Sequence, residues 1–225
     1  MERKLIIAID GPAGSGKSTI AAHLARKHGL VNIETGAMYR ALALKAVEGD
    51  VGLEDEEALL ELALHSHIAL EPTMTGNRVL LDGHDVSQRI REGDVTDAAS
   101  KVSVHPRVRA WMVERQREMG RGGGVVMEGR DIGTKVFPDA DLKIFLDADP
   151  GVRGERRYRQ QGPVEPVKAE ELLKELRERD ERDRTRATSP LVPAPGAVVI
   201  DSTNLTIEQV LERIEAEMQA IAGRG

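Results

Sequence analysis

The chain has no cysteine. That excludes disulfides, cysteine-ligated zinc and thiol catalysis, and it suits a reducing compartment. Aromatics are scarce: Tyr39, Trp111, Phe137, Phe145 and Tyr158 are the only ones in 225 residues. A base-stacking platform for single-stranded nucleic acid needs more. Excess positive charge is also missing. Against 38 acidic residues stand 32 lysines and arginines, a net charge of −6, which disfavours a general nucleic-acid binder. No apolar run has the length of a membrane span. Met1-Glu2-Arg3-Lys4 leads directly into a short apolar strand, without a signal-peptide pattern. The expectation is a cytoplasmic enzyme with no membrane or nucleic-acid partner, built as one domain or as one domain with an insertion.

What is present begins with Gly11-Pro12-Ala13-Gly14-Ser15-Gly16-Lys17-Ser18, a phosphate-binding loop of the form G-x-x-x-x-G-K-[ST]. The run Leu5-Ile6-Ile7-Ala8-Ile9 before it reads as a buried parallel strand, and Thr19-Ile20-Ala21-Ala22-His23-Leu24-Ala25 after it reads as a helix. The glycines let successive backbone N–H groups close on an anion at a helix N-terminus. Lys17 supplies a point charge for the β/γ-phosphates, and Ser18 supplies a hydroxyl to Mg²⁺. The motif indicates a nucleoside triphosphate and leaves the acceptor open.

Further along, Gly29 is placed to end the first helix, and a second short strand ends at Glu34-Thr35-Gly36, where another helix begins. Thr35, Tyr39 and Arg40 therefore start at the strand edge that carries the phosphate loop. A helix is expected over 54–65. Short strands over 67–70 and 78–81, with turn signals at Gly76-Asn77 and Asp82-Gly83, suggest a small antiparallel element inserted into a parallel α/β domain. Helices over 94–104 and 106–119 follow. Two strand patterns then lead into Gly129-Arg130-Asp131 and Asp147-Ala148-Asp149. A charged helix over 168–186 has two readings. It is a solvated helix with ion pairs such as Glu175–Arg179 and Asp180–Arg184, or Arg179, Asp183 and Arg186 form one polar face toward a ligand. A fifth core strand ends at Asp201. Thr206 and Gln209 predict a capping box for a last helix whose stripe is Ile207, Val210, Leu211, Ile214, Met218 and Ile221.

Taken in order, Ile9-Asp10-Gly11-Pro12-Ala13-Gly14-Ser15-Gly16-Lys17, Thr35-Gly36-Ala37-Met38-Tyr39-Arg40, Ala98-Ala99-Ser100, Gly129-Arg130-Asp131-Ile132-Gly133-Thr134 and Arg182-Asp183-Arg184 resemble the bacterial cytidylate kinases, (d)CMP kinases of the P-loop nucleoside monophosphate kinases. The resemblance implies an α/β P-loop NTPase fold with a five-stranded parallel sheet flanked by helices. It implies a core of 1–36, 106–149 and 166–225, an inserted nucleotide-acceptor domain over 37–105 that holds the small antiparallel sheet, and a short lid over 150–165. The lid is proline-rich at Gly162-Pro163-Val164-Glu165-Pro166. By the same resemblance, Gly11 to Thr19 bind ATP, with Lys17 catalytic and Ser18 on Mg²⁺. Thr35, Tyr39, Arg40, Ser100, Arg109, Arg130, Asp131, Arg179, Asp183 and Arg186 bind CMP or dCMP. Arg153 and Arg157 are the lid candidates for transition-state charge, and a monomer is expected.

Two rivals remain at this stage. One is a P-loop kinase with another acceptor, such as UMP, AMP or shikimate. The other is a nucleotide-dependent switch, against which stands the lack of an Asn-Lys-x-Asp segment after the fourth strand.

Overall fold

The computed structural model describes residues 4–73, 76–161 and 166–223. In chain order, β1 (Ile6–Asp10) passes through the phosphate loop into α1 (Lys17–His28), then β2 (Val31–Glu34), and α2 (Thr35–Glu48) starts with no intervening loop. Next come α3 (Glu56–Leu64), the short strands β3 (Ile68–Thr73), β4 (Gly76–Leu81) and β5 (His84–Asp85), and α4 (Gly93–Val102). The helix α5 (Pro106–Gly120) returns the chain to β6 (Val125–Gly129), which a π-helical turn over Ile132–Val136 separates from β7 (Leu142–Asp147). After α6 (Pro150–Gln161) and α7 (Pro166–Thr185), β8 (Val198–Asp201) and α8 (Ile207–Ala222) complete the described fold.

Five strands form one parallel sheet in the order β2-β6-β1-β7-β8, as expected, and β3-β4-β5 form the separate antiparallel sheet. Every residue of β1 and β6 is buried, as a parallel strand covered by crossover helices on both faces requires. On one face, Ile20 and Leu24 of α1 and Val210 and Ile214 of α8 pack on Ile7, Ile9 and Ile144. On the other, Ile132 and Val136 of the π-turn pack with Ile33 and Met127. A third cluster, with Met38, Leu42, Leu59, Val79 and Val95, holds α2, α3, α4 and the antiparallel sheet together. Val108 and Met112 of α5 belong to that cluster, while Val113 packs under the main sheet. That helix therefore joins the insert to the core.

All five parallel strands end at one edge. Gly11, Thr35, Arg130, Ala148 and Ser202 are the first residues beyond their ends, and this is where open α/β sheets bind ligands.

Three expectations need correction. Gly76-Asn77 is not a turn but the start of β4. The Asn77 amide donates to Asn32 O at 2.8 Å and accepts from Glu34 N at 3.0 Å. A side chain thus pairs the exposed edge of β2 in place of another strand. Ile207, the first residue of the expected α8 stripe, is 43% exposed, and Val210 and Ile214 carry the burial. Asp180 pairs with Arg153 rather than Arg184, because α7 lies against α6. Residues 162–165, most of the proline-rich stretch, lie outside the described residues.

Gly29 ends α1 at φ 65°, its N–H on Ala25 O. The capping box of α8 is complete: Gln209 N donates to Thr206 Oγ1 at 3.3 Å, and Thr206 N to Gln209 Oε1 at 3.0 Å. Thr206→Ala removes one half of this pair and costs about 1 kcal/mol. A drop in melting temperature of about 2–4 °C is expected, read by calorimetry, with nucleotide kinetics unchanged.

Candidate active site

The phosphate loop leaves β1 under tight steric control. Gly11 has φ +150°, and a Cβ there would lie 2.0 Å from the Leu146 carbonyl oxygen of β7. Only glycine lets the loop turn against its neighbouring strand. Within the loop, Lys17 Nζ donates to Pro12 O at 2.6 Å and reaches Ser15 Oγ at 3.4 Å. The lysine is 5% exposed. Burial lowers its pKa and the nearby Arg130 adds to this, while Glu128 and Asp10 oppose. A buried ammonium facing other cations has its charge restored by an anion placed among them.

Glu128, at the end of β6, is the residue sequence reading missed here. It is the register partner of Glu34 across β2 and β6. Burial pushes its carboxyl up and Glu34 adds to this, while Lys17, Ser18 and Arg130 pull it down. Its Oε1 is buried without a hydrogen-bond partner, beside the exposed Ser18. Hydroxyl and carboxylate oxygens are the donors a hard divalent cation takes, so the residues present fit Mg²⁺. An acid closing a buried strand at the ligand edge is the signal that could have found it.

Beside the phosphate loop lies a cluster of guanidinium groups. Arg40 pairs with Glu34. Arg130 Nε donates to Asp183 Oδ2 at 2.9 Å, and Arg186 Nη1 reaches Asp183 Oδ1 at 3.4 Å. Arg186 is also held by Ser189 O at 2.5 Å, a carbonyl set by a left-handed Ser189 at φ 54°. Burial works against the Asp183 charge, yet Arg130, Arg179 and Arg186 together hold its pKa below the usual carboxylate range. Arg179 is lowered to about 9 by burial and then by Arg130, with Arg40 and Arg157 adding to this and Asp183 opposing. Asp183 and Arg186 of α7 are thus turned inward against Arg130 instead of lying on a solvated face.

A deeper wall continues from this cluster. Arg109 Nη2 donates to Asp131 Oδ2 at 2.5 Å and Nη1 to Ser103 O at 2.9 Å, both side chains being buried. The Arg109 guanidinium lies over the Tyr39 ring at 5.4 Å from its centre, a cation–π contact that holds both. Thr35 donates its hydroxyl to Glu128 O at 2.7 Å, and a Cβ on Gly129 would lie 2.6 Å from that hydroxyl. Buried polar atoms are nearly always paired. Here Tyr39 Oη, Arg40 Nε, Ser100 Oγ, Arg109 Nε, Arg179 Nε and Arg186 Nη2 have no partner among the described residues. They are six of ten such atoms among the described residues, and all six belong to residues that sequence reading assigned to the acceptor; the others are on Asn32, Gln116, Glu128 and Asp180.

The two lid candidates separate. Arg153 is 1% exposed, with Nε on Ala148 O at 2.9 Å, Nη1 on Ala13 O at 3.0 Å and Nη2 on Asp180 at 2.5 Å. It ties α6, α7 and the phosphate loop together, so the structure makes it a structural clamp instead of a group free to meet a phosphoryl. Arg157 is half-buried, its pKa lowered by burial and by Arg40, with Glu175 opposing. It faces the acceptor arginines. Arg156, which sequence reading passed over, fixes the loop after β8 through Ser202 O at 2.7 Å and Ser202 Oγ at 3.1 Å.

Among solved structures, a shikimate kinase from Bacteroides thetaiotaomicron superposes with a TM-score of 0.50 at 13% identity, covering 96% of this chain and 98% of that one. At that identity the likeness concerns the fold alone. The sequence relatives are closer. A cytidylate kinase from Solibacter usitatus is 50% identical over 95% of this chain and 91% of its own length. Those from Geobacillus kaustophilus and Enterococcus faecalis are 49% and 48% identical over 95% and 94% of this chain, and 96% and 94% of their own. The family model described as cytidylate kinase matches residues 7–220. The phosphate loop, the arginine cluster and this match over nearly the whole length place the chain in the cytidylate kinase family.

Proposed function

We propose that the protein transfers the γ-phosphoryl group of ATP to the 5′-phosphate of CMP or dCMP, giving ADP and CDP or dCDP. The observation that carries this reading is the set of unpartnered polar atoms on Tyr39, Arg40, Ser100, Arg109, Arg179 and Arg186. Tyr39, Arg40, Arg109, Arg179 and Arg186 act electrostatically on one another or through Arg130, next to Lys17 of the phosphate loop. Family membership supplies the nucleotide class.

The attacking oxygen of CMP is already anionic, so no general base is needed. It bonds to the γ-phosphorus as the bond to the ADP oxygen breaks. The protein's part is alignment and charge stabilisation. Gly11 to Thr19 wrap the donor phosphates with backbone N–H groups, and Lys17 adds its charge. Ser18, with Glu128, would hold Mg²⁺, which neutralises the donor phosphates when bound. Arg40, Arg130 and Arg179 take the acceptor phosphate, whose charge replaces that of Glu34 and Asp183 as their counter-ion. Arg157 completes the ring around the transferred group.

The Asp131–Arg109–Ser100 wall suits cytosine, which offers a donor at N4 and acceptors at N3 and O2. Uracil reverses the polarity at positions 3 and 4. Asp183 and Arg186 meet the sugar, and the buried Thr35 and Tyr39 back the cytosine wall. The core segments 1–36, 106–149 and 166–225 carry the donor and share the acceptor with the inserted 37–105, and 150–165 form the lid, which excludes water from the γ-phosphate. The substrates are small nucleotides, and the chain works as a monomer. Among the described residues no helix is long and apolar enough to cross a membrane.

Side-by-side ADP production with CMP, dCMP, UMP, AMP and no acceptor tests the reading. Turnover concentrated on CMP and dCMP is expected; preference for AMP or UMP overturns the cytosine assignment. Lys17→Ala should lower kcat on the order of a hundredfold while CMP still binds in calorimetry. Asp131→Asn retains the shape of the wall but adds a donor, so the CMP-over-UMP preference in kcat/KM should fall about tenfold or more, with KM for ATP within twofold. Arg157→Ala should lower kcat without changing the melting temperature. Arg153→Ala breaks a buried pair and should cost about 3 kcal/mol or more of stability, read by thermal unfolding.

A further inference from the structure

Asp10 closes β1 and stands immediately before Gly11 of the phosphate loop. It is 2% exposed. Both its oxygens are engaged across the sheet: Oδ1 accepts from Ile132 N at 2.8 Å and Oδ2 from Gly133 N at 2.7 Å. These two amides open the π-helical turn, in which Lys135 N and Val136 N return to Asp131 O and Phe137 N to Ile132 O. The first N–H groups of a helical turn find no partner inside it. Here one carboxylate from another strand satisfies two of them.

The residue that these amides follow is Asp131. Its carboxylate is gripped from the far side by Arg109 at 2.5 Å, itself anchored on Ser103 O. Asp131 is thus located from both directions, by Arg109 on the side chain and by Asp10 on the backbone behind it. A neutral amide is a poor replacement for Asp10, since only a carboxylate offers each of the two N–H groups its own oxygen. The acid is retained here although burial and the like charge of Asp131 both disfavour its ionisation, the two backbone N–H bonds and Lys17 acting in its favour.

We infer that Asp10 is a positioning residue for base selection: by binding the Ile132 and Gly133 amides it holds the Asp131 carboxylate at a set distance from the phosphate loop. Donor and acceptor subsites then share one buried reference point, the end of β1. This inference rests on the reading of Asp131 as the cytosine-facing acid.

The test is Asp10→Asn, compared with wild type and Asp131→Asn under the same conditions. The variant places an NH₂ group against one of the two N–H donors. KM for CMP should rise about tenfold or more and the CMP-over-UMP ratio of kcat/KM fall by a similar factor, with KM for ATP within twofold. A folded Asp10→Asn with an unchanged CMP-over-UMP ratio, or with equal rises in both KM values, overturns the inference. If Asp131→Asn loses the preference while Asp10→Asn retains it, the inference fails and the cytosine reading stands. If Asp131→Asn retains the preference, the cytosine reading fails first.

Should Asp10→Asn not fold, amide hydrogen exchange in the wild-type enzyme decides. The Ile132 and Gly133 amides should exchange slowly, and CMP should slow them further while an ATP analogue does not. Exchange at the rate of exposed loop amides, or protection by both nucleotides alike, overturns it.

Discussion

Guanidinium groups brought out of water must be matched by carboxylates or by ligand anions, and this demand shapes the whole strand edge. Removing a charge from water costs several kcal/mol even after relaxation. Asp131 answers Arg109, Asp183 answers Arg130 and Arg186, Asp180 answers Arg153, and Glu34 answers Arg40. Among the described residues Arg179 has no such carboxylate to itself, and its pKa falls to about 9 as burial and its cationic neighbours act on it. The pocket is thus held together with its positive charge only partly balanced. A bound polyanion would complete that balance, so the charges that hold the cluster together are also those that suit a phosphate.

The sheet turns that balance into geometry. Parallel strands end together, so five chain turns converge on one edge without any long loop. The central strand β1 delivers the phosphate loop, β6 delivers Glu128, Arg130 and Asp131, and β2 passes directly into the helix that carries Tyr39 and Arg40. Glu128, Arg130 and Asp131 are fixed within two residues of the end of a buried strand, which restricts their motion more than a long loop would, while Arg109, Arg179 and Asp183 come from helices packed beside that edge. Asn77 extends the same logic outward, because its amide attaches the antiparallel insert to the edge of β2.

The elements that could be read in advance are those with a local signature. The buried run before Gly11, the αL glycine after α1, the capping box at Thr206 and the spacing of Arg179, Asp183 and Arg186 each lie within a few residues. Their hydrogen-bonding and steric requirements are local too. The partners of those residues were not readable. Asp180 and Arg184 stand at ion-pair spacing on one helix, yet Asp180 chose Arg153, 27 positions away. That choice depends on how α6 and α7 pack, which no spacing rule contains. Glu128 and Asp10 were given no role for the same reason, since an acid at a strand end looks alike whether it caps a turn, faces a metal or meets solvent; Asn77 reads as a turn residue because its partners on β2 lie 43 and 45 positions away.

By itself, the sequence determined the class of fold, the phosphate loop and, through its ordered motifs, the nucleotide that the acceptor side suits. Those follow from residue type and short-range spacing, which the chain carries wherever it folds. Only the tertiary structure decided that Arg153 clamps while Arg157 faces Arg40 and Arg130, that Glu34 holds Arg40, and that Asp10 supports the turn behind Asp131. These assignments depend on which distant groups share a buried volume. Burial decides which charges must be paired and which remain for a ligand, and it exists only once the sheet has closed.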